Sequence, residues 1–160
     1  MRSSRIRGDL ALLREGVEVA VGFGVRSLEG LVDVAELLEH SVYEPRSLRS
    51  TGDGFCFTLL NPPLRMGAFS SVRLLWNGSE VDPTRAALAV GRSAARPLGS
   101  IAAASPVTLP IGERVRFSVH AAPVEPGRHR VRLELQSVAV PPLVWLEFAD
   151  EMGAPEAGPA

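Results

Sequence analysis

From about residue 46 onward the sequence is cut into short segments by glycine, proline and asparagine, and between the cuts apolar residues alternate with polar ones. Alternation over about four to eight residues marks a half-buried β-strand, because a helix repeats its faces every ~3.6 residues instead. "FCFTLL" sets Phe55, Phe57 and Leu59 on one face, and "SSVRLLW" does the same with Val72, Leu74 and Trp76. "ERVRFSVH" aligns Val115, Phe117 and Val119, "HRVRLELQSV" aligns Val131, Leu133 and Leu135, and "LVWLEFA" follows Pro141-Pro142. Asn61-Pro62-Pro63 stops one strand, since proline cannot donate to a sheet ladder. Asn77-Gly78 turns another, because both residues tolerate the positive φ of a type I′ hairpin. Short strands spaced by roughly ten residues predict a mainly β fold, an antiparallel β-sandwich of immunoglobulin-like or jelly-roll-like kind, over residues 44–149.

The flanks read differently. Residues 1–43 form an N-terminal appendage: "GDLALLREG" is a short helix capped by Asp9 and stopped by Gly16, and "VEVAVGFGV" is a strand. "SLEGLVDVAELLEHS" is an amphipathic helix with Leu28, Leu31, Val32, Ala35 and Leu38 on one stripe and Glu29, Asp33, Glu36 and Glu39 opposite. Its stripe needs a receiver, either the host domain or a partner chain. Residues 91–106, rich in Ala, Ser, Gly, Arg and Pro, read as a long surface loop. Residues 150–160 lack apolar anchors and read as a disordered tail.

Candidate chemistry is sparse. A net charge of −1 gives no overall attraction to nucleic acid or acidic membranes, and all 17 basic residues are arginine. With no lysine there is no Schiff base and no Walker-A phosphate loop. The single Cys56 excludes an internal disulfide and reads as a small buried apolar residue. The N-terminus is a poor signal peptide and no run is long enough for a membrane helix, which suggests a cytoplasmic, bacterial-type protein with neither membrane nor nucleic-acid partners. No G-x-S-x-G elbow, HExxH motif or dinucleotide fingerprint occurs, so no catalytic residue and no cofactor is assigned. His120 and His129 flank one predicted hairpin loop, with Glu125 between them; as metal ligands they compete with the simpler reading of solvated loop histidines.

The unusual electrostatic feature is the predicted hairpin 113–138. Arg114 and Arg116 project from one strand and Arg130 and Arg132 from the next, and like charges on one sheet face repel unless answered. That arrangement suits either a solvated, edge-guarding face or an acidic partner surface. The acidic helix 28–39 of another copy is one complement, which makes self-association a further reading. Arg65 and Met66, in the link after Asn61-Pro62-Pro63, are also candidates for partner contact.

Two stretches, "SLRSTGDGFCFTLLNPPLRMGAFSSVRLLWNGSEVDP" and "GERVRFSVHAAPVEPGRHRVRLELQSV", carry a family resemblance. The Asn-Pro strand end, the "WNGSEV" hairpin and the later "PGRHRVRL" resemble the small β subunits of bacterial C-glycoside deglycosidases and their relatives, over about residues 46–149. The resemblance implies a non-catalytic accessory subunit of a hetero-oligomeric enzyme. In such an enzyme a larger TIM-barrel partner carries the divalent metal and the catalytic base. A free-standing carbohydrate-binding module is the other alternative, although the supply of aromatics for a sugar platform is thin.

Overall fold

The computed structural model describes residues 10–14, 17–23, 43–60, 66–110, 112–122, 124–137 and 143–153. The amphipathic segment 28–39 and Arg65 lie outside the described residues. Two antiparallel sheets make up the fold. One runs β1 (Leu10–Arg14), β2 (Val17–Phe23), β12 (Leu143–Glu151), β11 (Arg128–Ser137), β5 (Met66–Trp76) and β6 (Ser79–Glu80), with β9 (Val107–Leu109) also pairing β5. The other runs β3 (Arg49–Ser50), β4 (Gly54–Leu60), β10 (Arg114–His120), β7 (Ala86–Val90) and β8 (Arg96–Pro97).

The alternating residues do what their period requires. Phe55, Phe57, Leu59, Val115, Phe117 and Val119 from the smaller sheet are buried together with Val72, Leu74, Val131, Leu133, Leu135, Leu146 and Phe148 from the larger one. One hydrophobic core therefore draws on both sheets. Aromatic rings cross between them: Phe57 meets Phe148 edge-on with centroids 5.1 Å apart, and Phe55 stacks on Trp76 at 4.1 Å. Each fully buried Phe adds about 1.5–3 kcal/mol of hydrophobic stabilisation, as does each buried Val or Leu, and the ring contacts add to it. Asn77 (φ +49°) and Gly78 (φ +87°) form the expected tight turn between β5 and β6. Gly54 begins β4 with a positive φ, and a Cβ there would land on the carbonyl oxygen of Val119 in β10.

Several expectations are corrected. The segment expected as a short helix, "GDLALLREG", instead contains β1, which pairs with β2, and β2 in turn pairs with β12. Part of the expected appendage thus extends the larger sheet. Leu10 and Leu12 of β1 pair across from Val21 and Val19 of β2, so strand pairing overrides the local helix signal. The stretch 91–106 is not a featureless loop, because it contains β8 and a short 3-10 turn, Leu98–Ser100, with Leu98 and Ile101 buried. The Arg96 guanidinium gathers it by donating to the carbonyls of Ser100, Ser105 and Pro106 and to the hydroxyls of Ser100 and Ser105. β12 continues to Glu151, past the expected end of the last strand, and both Asp150 and Met152 are buried.

The most consequential correction concerns residues 113–138. β10 and β11 do not pair: β10 lies between β4 and β7, and β11 between β12 and β5. The connection crosses from one sheet to the other, so the four arginines never share a face. Inward alternation is identical in a hairpin and in a sheet-to-sheet crossover, which is why period alone did not distinguish them. Among the described residues no helix is long and apolar enough to cross a membrane.

Candidate functional site

On the outer face of the smaller sheet, β4 presents Cys56 and Thr58, which alternate with inward Phe55, Phe57 and Leu59. The register sets Arg116 of β10 opposite Thr58, and Arg49 of β3 opposite Cys56. The Arg116 Nη2 lies 3.6 Å from the Cys56 sulfur, and Cys56 is only 8 % exposed beneath it. Arg114, two residues earlier on β10, pairs with Glu44 at 3.3 Å.

The segment leading into β3 closes this face. Ser47 N–H donates to the Glu44 carbonyl at 3.2 Å, which makes residues 44–47 a β-turn with Pro45 second and Arg46 third. Proline suits the second position, but Arg46 takes φ +63° at a position that normally calls for Gly or Asn. A side chain in that left-handed region costs roughly 1–2 kcal/mol. The turn is held from two directions. The Arg46 N–H donates to Asp150 Oδ2 at 2.8 Å, and the Ser47 hydroxyl both accepts from the Thr58 N–H (3.0 Å) and donates to the Thr58 carbonyl (3.3 Å). Asp150, 4 % exposed, also accepts from the Tyr43 hydroxyl at 2.6 Å and, through Oδ1, from the Glu151 N–H at 2.8 Å. Burial, and then the bond to Asp150, push the Tyr43 phenol far above its ordinary range.

Between turn and sheet lies a cleft of about 370 Å³, lined by residues 44–47 with Arg49, Cys56, Thr58 and Arg116. Arg46, Arg49 and Arg116 are all exposed. Among the described residues none of the three forms an ion pair.

The opposite face of the molecule handles arginine differently. Arg73 bonds Glu80 at 3.0 Å and Glu134 at 3.2 Å, Arg132 bonds Glu134 at 3.2 Å and Glu147 at 3.4 Å, and Arg130 bonds Glu147 at 3.0 Å. Arg132 also lies over the Trp145 ring, 4.6 Å from its centroid. The Arg73–Glu80 hydrogen bonds raise the arginine's pKa and lower the glutamate's, so both stay charged. This face is a laced, self-neutralised network.

Of the residues singled out from sequence, Arg116 lines the cleft and Arg114 pairs at its edge, whereas Arg130 and Arg132 belong to the far face. Met66 begins β5 opposite Leu109 of β9. Arg46 and Arg49 were not anticipated, since nothing in "YEPRSLRS" announces that a turn folds two arginines back over β4. The histidines separate. His120 faces Asp53 at 3.4 Å, while His129 contacts the Asn77 amide at 3.0 Å and the Glu125 carbonyl at 2.8 Å, and stacks on Trp76. Among the described residues no group of three or more His, Cys, Asp or Glu is gathered as a metal site.

No protein-family model matches the chain, and no curated protein matches its sequence.

Proposed function

We propose that this chain is a non-catalytic β-sandwich subunit that docks an acidic surface of a larger partner against the arginine-lined face of its smaller sheet. The observation that supports this reading is the asymmetry of charge. Arginines on the larger sheet are matched by Glu80, Glu134 and Glu147, while Arg46, Arg49 and Arg116 surround a cleft in which, among the described residues, no carboxylate is bonded to any of their guanidinium groups. Unmatched guanidinium forks on one rigid face favour recognition of carboxylates and steer association electrostatically. The resemblance to small deglycosidase subunits gives the partner a class: a barrel enzyme holding its own divalent metal, whose active site this subunit stabilises or shapes.

A carbohydrate-binding module has less support. The Trp76 ring stacks on Phe55 and His129, and the Trp145 ring carries Arg132, so neither is laid out as a bare sugar platform. The test is affinity purification of the chain from its native host at low and high salt. A larger acidic protein should co-purify at low salt and be released as salt rises, and the double variant Arg46→Glu, Arg49→Glu should fail to capture it. A monodisperse monomer that captures no partner would overturn the proposal. Salt-sensitive oligomers of the chain alone in light scattering would replace it with self-association.

A further inference from the structure

We infer that the cleft between the 44–47 turn and β4 is a specific carboxylate-binding site, with Arg46, Arg49 and Arg116 as its ligands and the strained turn as its positioning device. The inference rests on the docking reading and sharpens it: a single acidic side chain of the partner enters the cleft, rather than one charged surface lying diffusely against another.

Three observations carry it. The cleft volume of about 370 Å³ is ample for a carboxylate-bearing side chain. Its walls are fixed, since Ser47 is bonded to both backbone groups of Thr58, the Arg46 amide to buried Asp150, and Arg49 and Arg116 sit in register on either side of β4. A backbone frame fixed in this way holds the three arginines around one cleft, so that ordering their side chains is the freedom lost on binding, which is what separates a site from a diffuse charged patch. Arg46 occupies a left-handed turn position where glycine would serve the fold better. Strain of this kind, kept against a cheaper residue at the mouth of a cleft, points to a role for the side chain. Guanidinium forks match carboxylate and phosphate geometry alike; because the docking reading supplies a protein partner, the ligand chemistry taken is that of its Asp or Glu side chains, with Glu44 at the rim already held by Arg114.

The experiment uses the full chain and the monoanion monomethyl glutarate (below, glutarate) as probe, followed by NMR, with sodium chloride at matched ionic strength and inorganic phosphate as comparators. Saturable shifts confined to residues 46–49, 56–58 and 116 are expected with glutarate and not with chloride. Arg46→Gly should weaken glutarate binding about tenfold, the loss of one charge-assisted contact, while raising Tm by roughly 2–5 °C through relief of the turn. Arg49→Gln should weaken binding similarly, and Arg130→Gln on the far face should leave it unchanged. Glutarate shifts that never saturate, equal shifts with chloride, tighter binding of phosphate, or an Arg46→Gly protein that binds glutarate undiminished would each overturn the inference. Saturable glutarate binding with no partner captured would support the site while removing the docking reading. Salt-sensitive partner capture that Arg46→Gly leaves intact would overturn the site and leave docking standing.

Discussion

Removing one oxygen atom, by Tyr43→Phe, is expected to destabilise this protein more than most core truncations of similar size. The ring itself would stay. It stacks on Phe148 with centroids 3.7 Å apart and planes 12° from parallel, and a phenylalanine preserves that packing. What disappears is a hydroxyl with two duties in a site that is 1 % exposed: it donates to Asp150 at 2.6 Å and accepts from the Leu48 N–H at 3.2 Å. A hydrogen bond to a charged group contributes about 1.5–3 kcal/mol, and a buried N–H left without a partner costs about 1–3 kcal/mol. Together these give ~3–5 kcal/mol, and at about 2–4 °C per kcal/mol for a chain of this size the Tm should fall by roughly 10 °C.

The same hydroxyl can be watched directly, because Tyr43 is the only tyrosine. Its folded pKa is raised, by burial first and by Asp150 second, above the ordinary value of 10.0. Its contribution to stability is therefore complete below that value and declines as pH rises beyond it, where the unfolded chain releases the proton and the folded one does not. Phenolate absorbance should accordingly appear only together with loss of the folded circular dichroism signal. A Tm change below about 2 °C for Tyr43→Phe would refute the energetic argument. A phenol that ionises near 10.0 while the sheets remain intact would refute its burial against Asp150.

Three further outcomes are expected. Gly54→Ala should lower the urea midpoint by the equivalent of about 3 kcal/mol or more, because its Cβ collides with the Val119 carbonyl oxygen of the neighbouring strand; an unchanged midpoint would contradict that register. Arg96→Lys should accelerate amide hydrogen exchange of Ala102 and Ser105, since three ammonium donors cannot replace the guanidinium's grip on Ser100, Ser105 and Pro106, whereas exchange across β4 and β10 should not change. Asn77→Gly should keep the hairpin turn yet cost about 1 kcal/mol in thermal unfolding, because the Asn77 side chain accepts from the Arg130 N–H at 2.9 Å and contacts the His129 ring; no loss would mean the turn alone sets the residue.

Which parts of this molecule were legible beforehand follows from how far each physical signal reaches. Alternation reports only whether a residue looks into the core, and it placed Phe55, Phe57, Val115, Phe117, Val131 and Leu133 there correctly. It carries no information on which sheet a strand joins, so it cannot separate Arg114 and Arg116 from Arg130 and Arg132, although β10 and β11 lie in different sheets. "AALAV" and "VTL", β7 and β9, carry little strand signal of their own, because a strand so short and so poor in aromatics is specified by its neighbours' open hydrogen bonds rather than by its own pattern. The loop 91–106 had no period to find, since its order comes from one guanidinium and two buried apolar anchors, Leu98 and Ile101.

The cleft was the least legible feature, and the reason is general to sites built by chain crossing. Its floor comes from β4 and β10, its wall from a turn ahead of β3, and the anchor of that turn is Asp150, more than a hundred positions away in the chain. A local motif cannot encode an arrangement whose parts meet only after the sheets close. What remains visible in one dimension is the choice of residue, an arginine where the backbone asks for glycine and an aspartate inside an apolar strand. Each costs stability if taken alone. The aspartate's cost is recovered through Tyr43, Arg46 and Glu151, all of which donate to it, so its burial is structurally accounted for. For Arg46 the backbone amide is accounted for in the same way, but the guanidinium is not, and that difference makes the arginine the residue to change first.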